Sequence, residues 1–227
     1  MNNRKHMDNI NHQTLLDGMQ ETGLIPVFNH AQLEVAKKVL DACYRGGVRV
    51  FEFTNRGENA LDVFGELATY ARQYDDLYLG IGTIFSKDDA KRSLDEGAKF
   101  IVSPALIPEI AHFANQNDVL WVPGCGTVTE IYQALQLQAK LIKVFPGNVL
   151  GPGFVKSVKA VYPKVPIMPT GGVQPTEENL FAWFSSGVHC VGMGSQLFNA
   201  NLIAAGNFES ITQSVAEALA IIKIIRE

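Results

Sequence analysis

Lys143 is the residue whose surroundings call most plainly for a chemical explanation. It is a lone cation in the apolar run Leu141-Ile142-Lys143-Val144-Phe145, with Pro146-Gly147 directly after it. An ammonium inside a buried strand costs several kcal/mol unless it is paired or neutralised. Chemistry offers one resolution. A desolvated lysine gives up its proton more readily and then attacks a carbonyl carbon, which is the start of Schiff-base catalysis.

A partner follows from strand parity. In the run Val48–Thr54, residues Val48, Val50, Glu52 and Thr54 share one face, while Arg49, Phe51 and Phe53 share the other. Leu141, Lys143 and Phe145 share a face in the same way. These runs are the second and sixth strand-like segments of the chain. In an eight-stranded barrel they stand opposite one another, and inward residues of alternate strands form common layers. Glu52 and Lys143 are therefore expected to meet across the interior. The plainer reading is an ion pair that only satisfies two charges. Such pairs stabilise poorly against apolar side chains of similar volume, which favours Lys143 as a nucleophile and Glu52 as a proton carrier.

Other strand ends carry candidate ligand groups. Arg56 lies four residues beyond Glu52, where a guanidinium can grip a carboxylate through two parallel hydrogen bonds. Gly80-Ile81-Gly82-Thr83 ends the third segment with small residues and a hydroxyl. Val102-Ser103-Pro104 ends the fourth, with a proline that can wall a pocket without offering a donor. Gly124-Cys125-Gly126-Thr127 reads as a tight turn with Thr127 as a helix cap. The last two segments end in Pro169-Thr170-Gly171-Gly172-Val173 and Gly192-Met193-Gly194-Ser195. Glycines there let backbone N–H groups approach an anion, and these loops are the usual phosphate site of a barrel. Gly194-Ser195 is expected to open a short helix facing that anion.

The elements needed to hold these groups are legible. Strand-like runs occupy Leu24–Phe28, Val48–Thr54, Leu77–Thr83, Lys99–Ser103, Val119–Pro123, Lys140–Phe145, Val165–Pro169 and Val188–Gly192. Amphipathic helical stretches of a length suited to crossovers lie between them. Eight βα units without a break in composition predict a single (β/α)8 TIM barrel over residues 21–227, in preference to an open doubly wound sheet. Residues 1–20 form an N-terminal extension, either a short helix closing the barrel bottom or a tail.

Composition narrows the function classes. The chain has 227 residues, 47% hydrophobic and 19% charged, which suits a globular domain with a substantial core. A net charge of −4 leaves no basic footprint for nucleic acid. There is no apolar run of membrane-spanning length and no signal-like h-region, so a cytoplasmic location without membrane contact is expected. Cys43, Cys125 and Cys190 are sparse and lack metal-ligand spacing; His6, His12, His30, His112 and His189 form no HxH or HxxxH pair. Neither a metal nor a cofactor is expected.

Taken together, the strand-end segments resemble the 2-keto-3-deoxy-6-phosphogluconate (KDPG) and 4-hydroxy-2-oxoglutarate (KHG) aldolases, small class I aldolases. The likeness rests on Gly47–Thr54, Gly80–Thr83, Phe100–Pro104, Leu141–Pro146, Pro169–Val173 and Gly192–Ser195, in order from about residue 23 to the C-terminus. It implies a metal-independent, reversible cleavage of a keto acid or sugar phosphate to pyruvate and an aldehyde. By motif, Lys143 would form the Schiff base and Glu52 would transfer protons. Arg56 and Thr83 would hold the pyruvyl carboxylate, with Pro104 walling that side. Thr170, Gly171, Gly172, Gly194 and Ser195 would lie towards the phosphate. A homotrimer is implied as well. The chain departs from many relatives after the first strand, where Asn29-His30 stands in place of an arginine. Asn55 beside Arg56 is similar to the phosphogalactonate aldolases, which leaves the C4 configuration open. Two other readings remain: a barrel phosphosugar isomerase or epimerase, and a non-catalytic sugar-phosphate-binding protein.

Overall fold

The computed structural model describes residues 11–227. Its strands are β1 (Leu24–Phe28), β2 (Val50–Thr54), β3 (Tyr78–Gly82), β4 (Phe100–Val102), β5 (Leu120–Val122), β6 (Gly124–Cys125), β7 (Ile142–Val144), β8 (Ile167–Pro169) and β9 (Val191–Met193). All paired strands run parallel, in the orders β5-β4-β3-β2-β1-β9 and β6-β7-β8. The helices are α1 (His12–Thr22), α2 (Leu33–Arg45), α3 (Ala60–Ala71), α4 (Lys87–Asp95), α5 (Pro108–Gln116), α6 (Val128–Gln136), α7 (Gly147–Val161), α8 (Glu177–Ser185), α9 (Ala200–Ala204) and α10 (Glu209–Arg226).

Two seams join the sheets into one closed wall. β5 and β6 are halves of a single stave parted at Pro123, whose ring nitrogen has no hydrogen to give to a ladder. The Pro123 carbonyl still accepts the Lys143 N–H at 2.9 Å. On the other side, Thr170 bridges Gly192, and the His189 N–H donates to the Ile167 carbonyl at 2.8 Å. Eight staves close on themselves, giving the (β/α)8 barrel. Gly124-Cys125, expected as a turn, instead prolongs the fifth stave to reach Lys143 and Val144 of β7. Thr127 does cap α6, accepting the Glu130 N–H at 3.2 Å.

Alternating burial divides the core in two. Phe51, Phe53, Ile81 and Ile101 face outward onto the helices. Ile25, Val50, Phe100, Leu120, Leu141, Met168 and Cys190 face inward and form a separate apolar plug. Leu15, Leu16 and Met19 of α1 join that plug, so α1 closes the N-terminal end of the barrel. Burying each of these side chains stabilises the fold by roughly 1.5–3 kcal/mol. The Asn11 side chain caps α1 at its start, and Gly23, at φ 72°, ends it through a bond to the Met19 carbonyl. Of the two possibilities for residues 1–20, a helix is present from His12; residues 1–10 lie outside the described residues. No helix among the described residues is long and apolar enough to cross a membrane.

Candidate active site

The plug fills the lower barrel with hydrocarbon, and two charged side chains rise from the inward face above it. One step above Val50 on β2 comes Glu52, fully buried; one step above Leu141 on the sixth stave comes Lys143, 5% exposed. They meet as parity requires, with Lys143 Nζ 3.5 Å from Glu52 Oε1. That is long for a charge-assisted hydrogen bond. Glu52 Oε2 is buried and has no hydrogen-bond partner among the described residues. The pair is close enough to couple but is not saturated, unlike an ion pair that serves packing alone. Lys143 Nζ also lies 5.5 Å from the centroid of the Phe145 ring.

Glycine makes room for the carboxylate. A Cβ on Gly82 would overlap Glu52 Oε1, and one on Gly80 would enter the Phe100 ring. The inward face of β3 above Tyr78 is thus bare backbone, into which its neighbours' side chains project. Gly82→Ala is expected to push Glu52 off its position and lower kcat roughly 100-fold, at a stability cost of about 1–3 kcal/mol. Steady-state kinetics and thermal unfolding check it; native kcat would mean that the exact seat of Glu52 is unimportant.

Thr83 follows at φ 63°, a left-handed conformation that costs a β-branched residue on the order of 1–3 kcal/mol. Flanking bonds hold it there: Asn55 N–H to the Gly82 carbonyl at 2.8 Å and Ile84 N–H to the Val102 carbonyl at 3.2 Å. Such strain, kept beside a buried ion pair, is typical of a residue positioned for a ligand. Ser103 has a structural duty, accepting the Trp121 Nε1 hydrogen at 3.0 Å. Pro104 beside it is half-buried, and its backbone presses so closely on Gly124 that a Cβ there would collide with it.

Arg56 is exposed and has no ionic partner among the described residues. Its backbone is pinned: the N–H donates to the Thr54 carbonyl and the C=O accepts Asn29 Nδ2, both at 2.8 Å. A cavity of about 360 Å³ brings Arg56 together with Thr170, Gly171, Gly172, Gly194 and Ser195. Thr83, Pro104, Glu52 and Lys143 are not in its lining; Phe145, whose ring lies 5.5 Å from Lys143 Nζ, is. The Thr170 hydroxyl is buried and has no partner among the described residues. Gly194 to Leu197 form a turn closed by the Leu197 N–H on the Gly194 carbonyl at 2.9 Å, not the expected helix start. The short helix α9 begins only at Ala200, and the Asn199 side chain already occupies its first N–H groups.

Sequence reading missed Phe28 and Phe198, which wall the cavity with ring centroids 4.8 Å apart, and Asn179, which holds the Gly172 loop. No motif marks Phe198, and Asn179 reads as an ordinary helix residue. His30 stacks on Phe28 and accepts the Gln32 N–H at 3.1 Å, so it is tied to its own loop. Burial pushes the Cys125 thiol up to about 12, which removes this neighbour of the Lys143 stave as a nucleophile at neutral pH.

The KDPG and KHG aldolase model matches residues 16–214. The chain is 30% identical over 213 residues to a KHG/KDPG aldolase of Escherichia coli (strain K12), covering 92% of this chain and 97% of that one. A 2-dehydro-3-deoxy-6-phosphogalactonate aldolase of the same strain is 32% identical over 154 residues, 67% of this chain and 71% of the other. A KDPG aldolase of Legionella pneumophila, with pyruvate captured at low pH as a covalent carbinolamine intermediate, superposes with a TM-score of 0.80. Its identity is 26%, with 88% of this chain and 96% of that one covered. On this match of sequence and fold, the chain belongs to the KDPG and KHG aldolase family of lyases.

Proposed function

We propose that this chain is a class I aldolase acting through a Schiff base on Lys143. Its substrate is a 2-keto-3-deoxy-6-phospho sugar acid or 4-hydroxy-2-oxoglutarate, cleaved reversibly to pyruvate and glyceraldehyde 3-phosphate or glyoxylate. The observation that carries this is the buried, unsaturated Lys143–Glu52 pair, 3.5 Å apart at the carboxyl ends of opposed staves. Binding of a sugar phosphate alone, as in a sensor, needs no such pair.

In this mechanism the Lys143 amine attacks the C2 ketone and forms a carbinolamine. Glu52, through a water molecule, delivers the proton with which the C2 hydroxyl leaves as water. The iminium then withdraws electrons. A base removes the C4 hydroxyl proton, the C3–C4 bond breaks, and its electron pair passes into the enamine of pyruvate. Protonation at C3 and hydrolysis release pyruvate and restore the amine. Arg56 and Thr83 hold the carboxylate and Pro104 walls that side. Thr170, Gly171, Gly172, Gly194 and Ser195 face the phosphate. Arg56 shares a cavity with both glycine loops, so its charge also favours an anion at that end. The same reading makes residues 21–227 one catalytic barrel with residues 1–20 as its extension. It gives a cytoplasmic homotrimer needing neither metal nor cofactor; sedimentation tests the assembly.

The substrate test is pyruvate release, coupled to lactate dehydrogenase, from KDPG, its C4 epimer and 4-hydroxy-2-oxoglutarate. At least one is expected to be cleaved, at a rate that a metal chelator leaves unchanged. No pyruvate from any of them would overturn the proposal, and an isomerised product without pyruvate would favour the isomerase.

A further inference from the structure

Asn179, in the first turn of α8, grips the glycine loop after β8 by its backbone on two sides. Its Nδ2 donates to the Gly172 carbonyl at 3.1 Å, and its Oδ1 accepts the Gln174 N–H at 2.8 Å. The residue is itself seated by the helix cap, since Thr176 Oγ1 accepts its N–H at 3.4 Å. One end of this link is a helix and the other is the loop.

The loop has need of it. Gly171 and Gly172 sit at φ 93° and 72°, and glycine has more backbone freedom to lose than any other residue. On its far side the loop rests on the first turn of α7. The Gly147 N–H donates to the Thr170 carbonyl at 2.8 Å, and Gly172 lies too close to Asn148 to carry a Cβ without a shift. Among the described residues, Asn179 supplies the side-chain hydrogen bonds to the backbone of residues 171–174. Asn179 does not line the cavity, so it acts through the loop.

We propose that Asn179 is a positioning residue of this aldolase. By fixing Gly172 and Gln174 it aims the loop's N–H groups at the distal anionic group of the substrate. The proposal rests on the reading of this loop as the phosphate end. With the amide gone, those donors must be ordered by the substrate itself, so the loss falls on binding of the phosphorylated end. Lys143 and Glu52, on other staves, keep their geometry.

The test separates the two ends. In Asn179→Ala the KM for 2-keto-3-deoxy-6-phosphogluconate is expected to rise roughly 10- to 100-fold with kcat within about threefold. Exchange of pyruvate methyl protons with deuterium from solvent, which uses the Lys143 end alone, keeps its native rate. Asn179→Asp, which retains the acceptor for Gln174 but sets an anion against the Gly172 carbonyl, is impaired at least as much as Asn179→Ala. An unchanged KM in Asn179→Ala overturns the positioning role. So does a parallel loss of proton exchange, which would mark a general packing defect. The native protein is measured first on the dephosphorylated substrate: equal KM values with and without phosphate would overturn the phosphate-end reading, and the proposal with it.

Discussion

Lys143→Met is expected to lower kcat for cleavage by roughly 10⁴- to 10⁶-fold, the range seen when a covalent nucleophile is removed. Native protein incubated with pyruvate and reduced with borohydride should gain a stable adduct, located at Lys143 by peptide mass. The variant should gain none. An adduct elsewhere, or turnover retained in Lys143→Met, would sink the Schiff-base mechanism and favour the isomerase reading. The variant carries a stability cost of its own, because Glu52 is left in the interior without its counter-charge. Breaking one side of a buried pair costs about 3–5 kcal/mol, whereas replacing both sides with apolar groups is neutral or stabilising by about 1–4 kcal/mol. Lys143→Met/Glu52→Leu should therefore unfold at or above the native temperature while remaining inactive. That outcome would show that stability does not require the pair, whereas a double variant less stable than the native protein would show that it does.

The barrel and the meeting of Lys143 with Glu52 in its candidate site were legible for a shared reason. Strand parity is set by local backbone geometry, so Val48–Thr54 and Leu141–Phe145 declare their inward faces without knowledge of the rest of the chain. Where the backbone departs from the regular period, reading failed. Pro123 interrupts the fifth stave, and Gly124-Cys125 then looks like a turn although it is strand. Gly194-Ser195 has the composition of a helix start, but Asn199 is the residue whose side chain caps the helix, at Ala200. Contacts set by the third dimension left no local trace. Gly82 reads as a ligand-facing glycine, yet the space beside it belongs to Glu52. Asn29 and Asn179 act on backbone 27 and 7 residues away, at Arg56 and Gly172, and spacing alone identifies neither.

Glu52→Gln is the second large effect, and it separates the ionisable carboxyl from its shape and hydrogen bonding. Glutamine has nearly the same shape, fits the space left by Gly82 and can still hydrogen-bond Lys143. It cannot relay a proton. Loss of a positioned acid–base group typically costs 10²- to 10⁴-fold, so kcat should fall by about that factor. The Lys143 amine remains, so borohydride should still trap pyruvate on it, only more slowly. Exchange of the pyruvate methyl protons, which passes through the same carbinolamine and enamine, should fall in step with cleavage. Asn179→Ala should leave that exchange untouched. A Glu52→Gln protein with more than about a tenth of native kcat would show that Glu52 serves Lys143 only through its shape and hydrogen bond, since catalytic proton transfer is worth more than that. The proton would then have to travel through another group.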